Sequence, residues 1–256
     1  QKGKEIAEIL KEVQPDYIFH CAGNSLIQKS ILNPLNDFND NTLFTFELLN
    51  TVKNFSPKSI LYLFSSAAVY GNPISLPIKE DLMSNPISPY GFHKLYAENI
   101  CYEFSKLYSL KIVILRIFSA YGPGLRRQII YDLTNQFVNS DIIQLKGTGR
   151  ESRDFIHVLD LCLAIESIIR EAHCQFEIYN IGSGQEISIK ELSEKFLMLF
   201  DKSKEIVFDF KSDPGAPLNW RSDITKLKSL GFEPSISLSE GISEYIRWFM
   251  SINLKK

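Results

Sequence analysis

The chain has 256 residues, 45% hydrophobic, 23% charged and 12% aromatic, a profile that supports a sizeable core and excludes wholesale disorder, collagen-like repeats and a coiled coil. Its 28 basic and 30 acidic residues leave a net charge of −2, so no polybasic footprint speaks for nucleic acid or an anionic membrane as partner. The longest apolar stretch, around Ile112 to Phe118, is broken by Arg116 and too short to span a bilayer.

Nothing resembles a signal peptide. The four cysteines (Cys21, Cys101, Cys162 and Cys174) have no paired spacing, so neither a metal site nor a disulfide framework is expected. A cytoplasmic, reducing setting is the expectation. Gln1 stands where a Met would open a complete chain, which suggests a fragment or a chain without its natural start.

Ile6, Ile9, Leu10 and Val13 recur at helical spacing over residues 4–13. Pro15-Asp16 breaks that helix, and Tyr17 to Cys21 reads as a short buried strand ending at Ala22-Gly23. A helix is predicted over 35–54, with Leu43, Phe46, Leu48, Leu49 and Val52 as its apolar face. The strand Ile60 to Phe64 ends in Ser65-Ser66. A Pro-rich loop over 71–89 leads to a long helix, 90–109, and a β-branched strand, Lys111 to Phe118. Alternation of helices with near-continuous apolar strands predicts an α/β fold, a parallel sheet with helices on both faces. Further on come a helix at 126–139, a strand at 142–145 and the turn Gly147-Thr148-Gly149. An extended Phe155 to Val158, a helix over 159–171 and a strand at 178–181 follow. Helix 188–201, strand 205–210 and helices near 223–230 and 238–252 close the chain.

Chemistry concentrates in Ser88-Pro89-Tyr90-Gly91-Phe92-His93-Lys94. Tyr90 and Lys94 share a helix face four residues apart, and an ammonium beside a phenol favours phenolate and lowers the tyrosine pKa. Such a phenol can act as general base toward a sugar or alcohol hydroxyl. Ser65 and Ser66 sit at the C-terminal end of a predicted strand, where open α/β sheets bind ligands. Ser66 could hydrogen-bond the oxygen that Tyr90 deprotonates, or the two serines could simply cap the turn. Asp154 and His157 read better as a buried pair tying two lobes than as catalysts, and Asp160 as a helix cap. Tyr70 and Tyr121 are either core aromatics or sugar-stacking groups. His93 faces away from Lys94 and receives no chemistry.

Together these residues resemble the extended short-chain dehydrogenase/reductases, the NAD-dependent epimerase/dehydratase group acting on nucleotide sugars. Ser66, Tyr90 and Lys94 match its catalytic Ser/Thr, Tyr and Lys. The run Pro15 to Gly23 resembles its fourth strand, where Ala22 and Gly23 line the dinucleotide, and Asn41 its cofactor-side asparagine. The segment Leu115 to Gly124 is similar to the one that passes the nicotinamide and enters the substrate site. Gly147-x-Gly149-x-x-x-Arg153-Asp154-Phe155-Ile156-His157-Val158-x-Asp160 is a specific match, in which Arg153 would hold substrate phosphate. The resemblance implies cofactor contacts at Ala22, Gly23, Asn41, Ser65, Tyr90, Lys94 and Phe118, and substrate contacts at Ser66, Ser119, Arg153 and Arg221. NAD is the implied cofactor, with NADP open.

Three departures qualify the match. Ala67 and Ala68 stand where dehydratases of the group carry an Asp-Glu pair, so 4,6-dehydration is not expected. Asp213-Pro214-Gly215-Ala216 replaces the usual Arg-x-Gly-Asp, with Arg221 or Lys211 as substitutes, and Ser119 replaces a common Asn. The Gly-rich βαβ unit that would cradle the pyrophosphate is missing. The resemblance thus implies an incomplete Rossmann-like lobe (1–118 with 154–183, N-terminal strands missing) plus a smaller C-terminal α/β substrate lobe (119–153 with 184–256). The implied activity is nucleotide-sugar 4-epimerisation through a keto intermediate. The alternatives are a keto-sugar reductase or a truncated, non-catalytic binding module. A homodimer through helices 35–54 and 90–109 is implied as well.

Overall fold

The computed structural model describes residues 2–171, 175–200, 203–211 and 215–253. Cys174 and the Asp213-Pro214 pair singled out above lie outside them. In chain order the first elements are α1 (Lys2–Val13), β1 (Tyr17–His20), α2 (Ile27–Leu32), α3 (Pro34–Phe38), α4 (Phe44–Phe55) and β2 (Ile60–Ser66). Next come α5 (Pro89–Tyr108), β3 (Lys111–Ile117), β4 (Ser119–Tyr121), α6 (Gln128–Asn139), β5 (Ile142–Leu145), β6 (Ser152–Arg153) and β7 (Phe155–His157). The rest are α7 (Val158–Glu171), β8 (Phe176–Ile181), β9 (Ile187–Ser188), α8 (Ile189–Leu199), β10 (Glu205–Phe208), α9 (Thr225–Lys228) and α10 (Leu238–Asn253).

β1, β2, β3 and β8 form a parallel sheet in that order. Parallel neighbours need crossovers, and α4, α5 and α7 supply them. One face of the sheet packs Leu61, Leu63, Ile112 and Ile114 against Leu48, Leu49 and Val52 of α4 and Ala97, Cys101 and Phe104 of α5. The opposite face packs Tyr62, Val113 and Leu115 against Leu161, Ala164 and Ile168 of α7 and Leu227 of α9. Burial on both faces explains why β2 and β3 read as unbroken apolar runs rather than alternating ones, whereas β1, expected to be buried, is an edge strand with Tyr17 and Phe19 exposed. A second core gathers α6, α8 and α10 over β5, around Leu133, Phe137, Leu192, Phe196, Ile242 and Tyr245.

The expected helix over 35–54 is present and unbroken, but a π-turn divides it into two α-helical parts. α3 and α4 are joined by a π-turn at Asn39–Leu43, where the Phe44 amide donates to the Asn39 carbonyl, and α2 precedes them as an element the sequence pattern did not signal. A π-turn inserts one extra residue and turns the side chains around it, here Asn41, off the regular helical stripe. No helix among the described residues is long and apolar enough to cross a membrane.

Candidate active site

β2 and β3 run in register to their C-terminal ends, with Ser65 opposite Arg116 and Ser66 opposite Ile117. Beyond Ser66 the chain turns through a short 3₁₀ segment, Ala67–Tyr70, capped by the Ser66 hydroxyl, which accepts from the Ala68 amide at 3.2 Å. α5 begins directly above this turn. Ser88 caps it by accepting from the Gly91 amide, and Pro89 occupies the first turn, where a missing N–H costs nothing. Gly91 is required for the approach, because a Cβ there would lie 2.6 Å from the Ala68 carbonyl oxygen. Tyr90, Lys94 and Glu98 then follow at four-residue intervals on the buried face of α5.

The Ser66 side chain is close enough to the Tyr90 phenol to act on it, favouring the ionised form. The Tyr90 ring is 7% exposed, in a cluster with Ala67, Ala68, Val69, Tyr70, Phe118 and Trp220. The pKa direction differs from expectation. Burial pushes the Tyr90 phenol up; the Ser66 side chain opposes this, Asp37 adds to it, and Arg127 lowers it slightly. The Lys94 ammonium is turned to the Phe64 carbonyl, to which it donates at 2.9 Å, and desolvation of the ring outweighs any help from nearby cations. Lys94 itself is 6% exposed, and burial pulls it down to about 8.

Ser65 faces the other way. Its hydroxyl donates to Glu98 Oε1 at 2.5 Å, inside a buried network. Arg116 clasps Glu98 and donates to the Tyr70 hydroxyl at 2.9 Å, and Tyr70 donates to Asn180 at 2.7 Å. Tyr70 is thus a core residue, as is Tyr121, packed edge-on against Phe155 and His157.

Past β1 the backbone carries Cys21, Ala22 and Gly23, the last at φ +138°. A Cβ on Gly23 would meet Asn41 Oδ1 at 2.5 Å, so the backbone and this amide face each other with no room for a side chain. Asn41 is buried, its Nδ2 donates to Asp37, and its Oδ1 has no partner among the described residues. Phe118 packs on Trp220 and Tyr70, closing the cluster around Tyr90.

The expected substrate residues divide. Ser119 follows Phe118, its amide donating to the Asp154 carbonyl. The Arg153 guanidinium lies over the Trp220 ring at 5.5 Å and donates to the Ser152 and Leu218 carbonyls, which brings it next to the Tyr90 cluster. Arg221 instead lines a polar cavity of ≈ 650 Å³ with Arg150, Ser152, Gly184, Gln185, Glu186, Ser188 and Glu191, a set that includes none of the Tyr90 cluster. Lys211 has its amide on Asp209. Asp154 and His157 are both buried but separately engaged. Asp154 accepts from Ser183, Gly184 and Ser222, whereas His157 faces Glu244 at 3.7 Å. Asp160 holds Ser235 and Ile236 to the first turn of α7 instead of capping that helix. Trp220, Asp37 and His93 join the site without a local signal, since each acts through contacts distant in sequence. No group of three potential metal ligands occurs among the described residues.

A sequence model of the NAD dependent epimerase/dehydratase family matches residues 1–182. The chain is 31% identical over 237 residues to the UDP-glucuronate 4-epimerase of Thermodesulfobacterium geofontis, covering 90% of this chain and 71% of that protein. Among solved structures, the UDP-glucuronic acid 4-epimerase of Bacillus cereus, in complex with UDP-glucuronic acid and NAD, is similar at a TM-score of 0.88 and 28% identity. That match covers 97% of this chain and 79% of the other. The UDP-glucose 4-epimerase of Thermotoga maritima, bound to UDP-glucose, is similar at a TM-score of 0.89 and 25% identity, over 98% and 82% of the two chains.

Proposed function

This chain belongs to the NAD dependent epimerase/dehydratase family, and we propose that it is a nucleotide-sugar 4-epimerase that takes a UDP-linked hexose and keeps NAD as its resident cofactor. The observation that carries the reading is the convergence of Ser66, at the C-terminal mouth of the sheet, on the Tyr90 phenol, one helical turn from Lys94 on the buried face of α5. The UDP-sugar 4-epimerases among its relatives support the substrate class. Ala67 and Ala68 move no protons, which favours epimerisation over dehydration.

The residues present fit the nicotinamide-ribose half of the cofactor. Asn41 keeps an unpartnered amide oxygen, Gly23 gives bare backbone beside it, and Lys94 has two N–H donors beyond the one spent on Phe64. The 256 residues contain no Gly-x-x-Gly-x-x-Gly run, so the fit concerns that half alone. Bound there, NAD would supply a reversible hydride acceptor for the sugar C4.

In the phenolate form, which the raised pKa makes the minor one, Tyr90 Oη takes the proton from the C4 hydroxyl as the sugar C4–H bond breaks, and the oxygen becomes a ketone. Ser66 donates to that oxygen as charge develops on it, which favours the transition state over the resting alcohol. Once the keto sugar has turned its other face, Tyr90 gives the proton back and the 4-epimer results. Arg153, over Trp220, is the proposed clamp for substrate phosphate, with Ser119 as a sugar or phosphate partner and Arg221 an outlying second cation. Residues 1–118 with 154–183 form the proposed cofactor lobe, and 119–153 with 184–256 the substrate lobe. Exposed Leu43 and Phe46 on the 35–54 segment and Phe92 and Tyr96 on α5 support a homodimer through these helices. A nucleotide sugar and NAD together suit a cytoplasmic enzyme.

The test is proton NMR of UDP-glucose and UDP-glucuronic acid incubated with the protein and NAD. The reading expects the 4-epimer without net NADH. Stoichiometric change in reduced cofactor would favour the reductase alternative, and cofactor and sugar binding without turnover the non-catalytic one.

A further inference from the structure

Asp37 belongs to none of the motifs above, yet it is a carboxylate only 2% exposed, and its side chain is bonded to Asn24, Asn41 and His93. Its Oδ1 accepts from Asn24 Nδ2 at 2.6 Å and from Asn41 Nδ2 at 3.2 Å. Its Oδ2 meets His93 Nδ1 at 2.5 Å. His93 immediately precedes Lys94, its carbonyl accepts from the Thr42 hydroxyl at 3.0 Å, and the Phe38 ring stands edge-on against its imidazole. α3 and the π-turn are therefore pinned to α5 on both sides of Asn41.

We propose that the buried Asp37–His93 pair is a positioning element of this active site, fixing the Asn41 amide in one orientation and setting a carboxylate against the turn of α5 that carries Lys94. The inference rests on the epimerase reading for its purpose, though not for its test.

The orientation follows from donor and acceptor inventory. A carboxylate only accepts, so it selects the NH₂ end of Asn41 and leaves the amide oxygen facing Gly23. Rotation of that amide would set oxygen against oxygen. The electrostatic part follows from what surrounds Lys94. Burial lowers it; Asp37 opposes this most, followed by Glu98, Cys101 and Cys21. His20, at the end of β1, is itself held down to about 4 by burial and by Lys94, so it is neutral at physiological pH. Glu98 is clasped by Arg116, whose positive charge cancels much of its field. His93 answers Asp37 with a hydrogen bond from Nδ1, so the carboxylate is held in place while its charge acts on the lysine.

The experiment is a carbon-13 NMR titration of the Lys94 side chain in the full chain, with the resonance assigned by its loss in Lys94→Arg. The wild-type midpoint is expected near about 8. Asp37→Asn removes the counter-charge at constant shape and should lower the midpoint by roughly half a pH unit or more, while Asp37→Glu should restore it. A purely structural role predicts the opposite sign, since a loosened site lets water in and the midpoint rises toward the ordinary 10.5. Asp37→Ser reads the same quantity should Asp37→Asn not fold. A midpoint unchanged or raised in a folded variant overturns the proposal, as does failure of both variants to fold. The titration needs no turnover, so an inactive wild type would sink the epimerase reading and leave this result standing. In an active enzyme, the alkaline limb of the kcat profile should move down with the lysine.

Discussion

Arg116 clasps Glu98 through three donated hydrogen bonds, Nη2 to Oε2 at 2.7 Å and Nε to both carboxylate oxygens at 3.2 Å, with both side chains almost fully out of water. The pair lies directly beneath the site, since Glu98 is one turn from Lys94 and Arg116 is opposite Ser65 in the sheet. Two buried charges repay their desolvation only as a pair. Glu98→Ala strands the guanidinium and should cost about 3–5 kcal/mol in urea unfolding. Replacing both residues by apolar ones of similar volume should cost far less, and equal losses would contradict the account.

Lys94 bears on stability with the opposite sign. Its ammonium is held down to about 8 against an ordinary 10.5, so below pH 8 the fold carries a charge that the unfolded chain holds more cheaply. That penalty fades as pH rises from about 8 to 10.5, because there the unfolded chain binds more protons than the folded one. Lys94→Met should therefore stabilise the fold at pH 7 by about 2 kcal/mol. The gain should shrink toward pH 10.5, and the variant should be catalytically inactive. Denaturant unfolding at pH 7 and pH 10 reads the difference.

His20 sets an acid limit. Its Nε2 pairs with the Thr45 hydroxyl at 2.9 Å, and burial followed by Lys94 depresses it from 6.5 to about 4. A depressed group contributes stability that is complete above its unfolded pKa and is lost as pH falls, here across 6.5 to 4, by up to about 3 kcal/mol. His20→Gln should flatten this part of the pH–stability curve. A curve identical to wild type would remove His20 as its cause.

The sheet and the Tyr90–Lys94 face were legible because both are local patterns: apolar runs bounded by breakers, and a four-residue spacing on one helix. Ser65 was misread although its parity was visible. Successive strand residues point to opposite faces, so of Ser65 and Ser66 only one can open on the site while the other turns to Glu98. The π-turn at Asn39–Leu43 and the Asp37–His93 contact left no local trace, because a partner 56 residues away decides them. Expecting a lowered Tyr90 pKa counted a charge and omitted desolvation, the larger effect for a ring 7% exposed.

The exposed apolar face of the 35–54 segment and α5 gives a separate expectation. Sedimentation should find the wild type dimeric, and Phe92→Glu combined with Phe46→Glu should give a folded monomer. A monomeric wild type would remove the dimer from the proposal and leave those aromatics unexplained.

Everything proposed about catalysis depends on Tyr90 Oη as the group that moves the C4 proton. The most direct measurement is turnover of a UDP-hexose deuterated at C4, with wild type compared with Tyr90→Phe. The account predicts a 4-epimer that retains its deuterium, a kcat loss of about 10²–10⁴-fold in the variant, and unchanged UDP affinity. Washout of the label, or a variant within a few-fold of wild type, would contradict it.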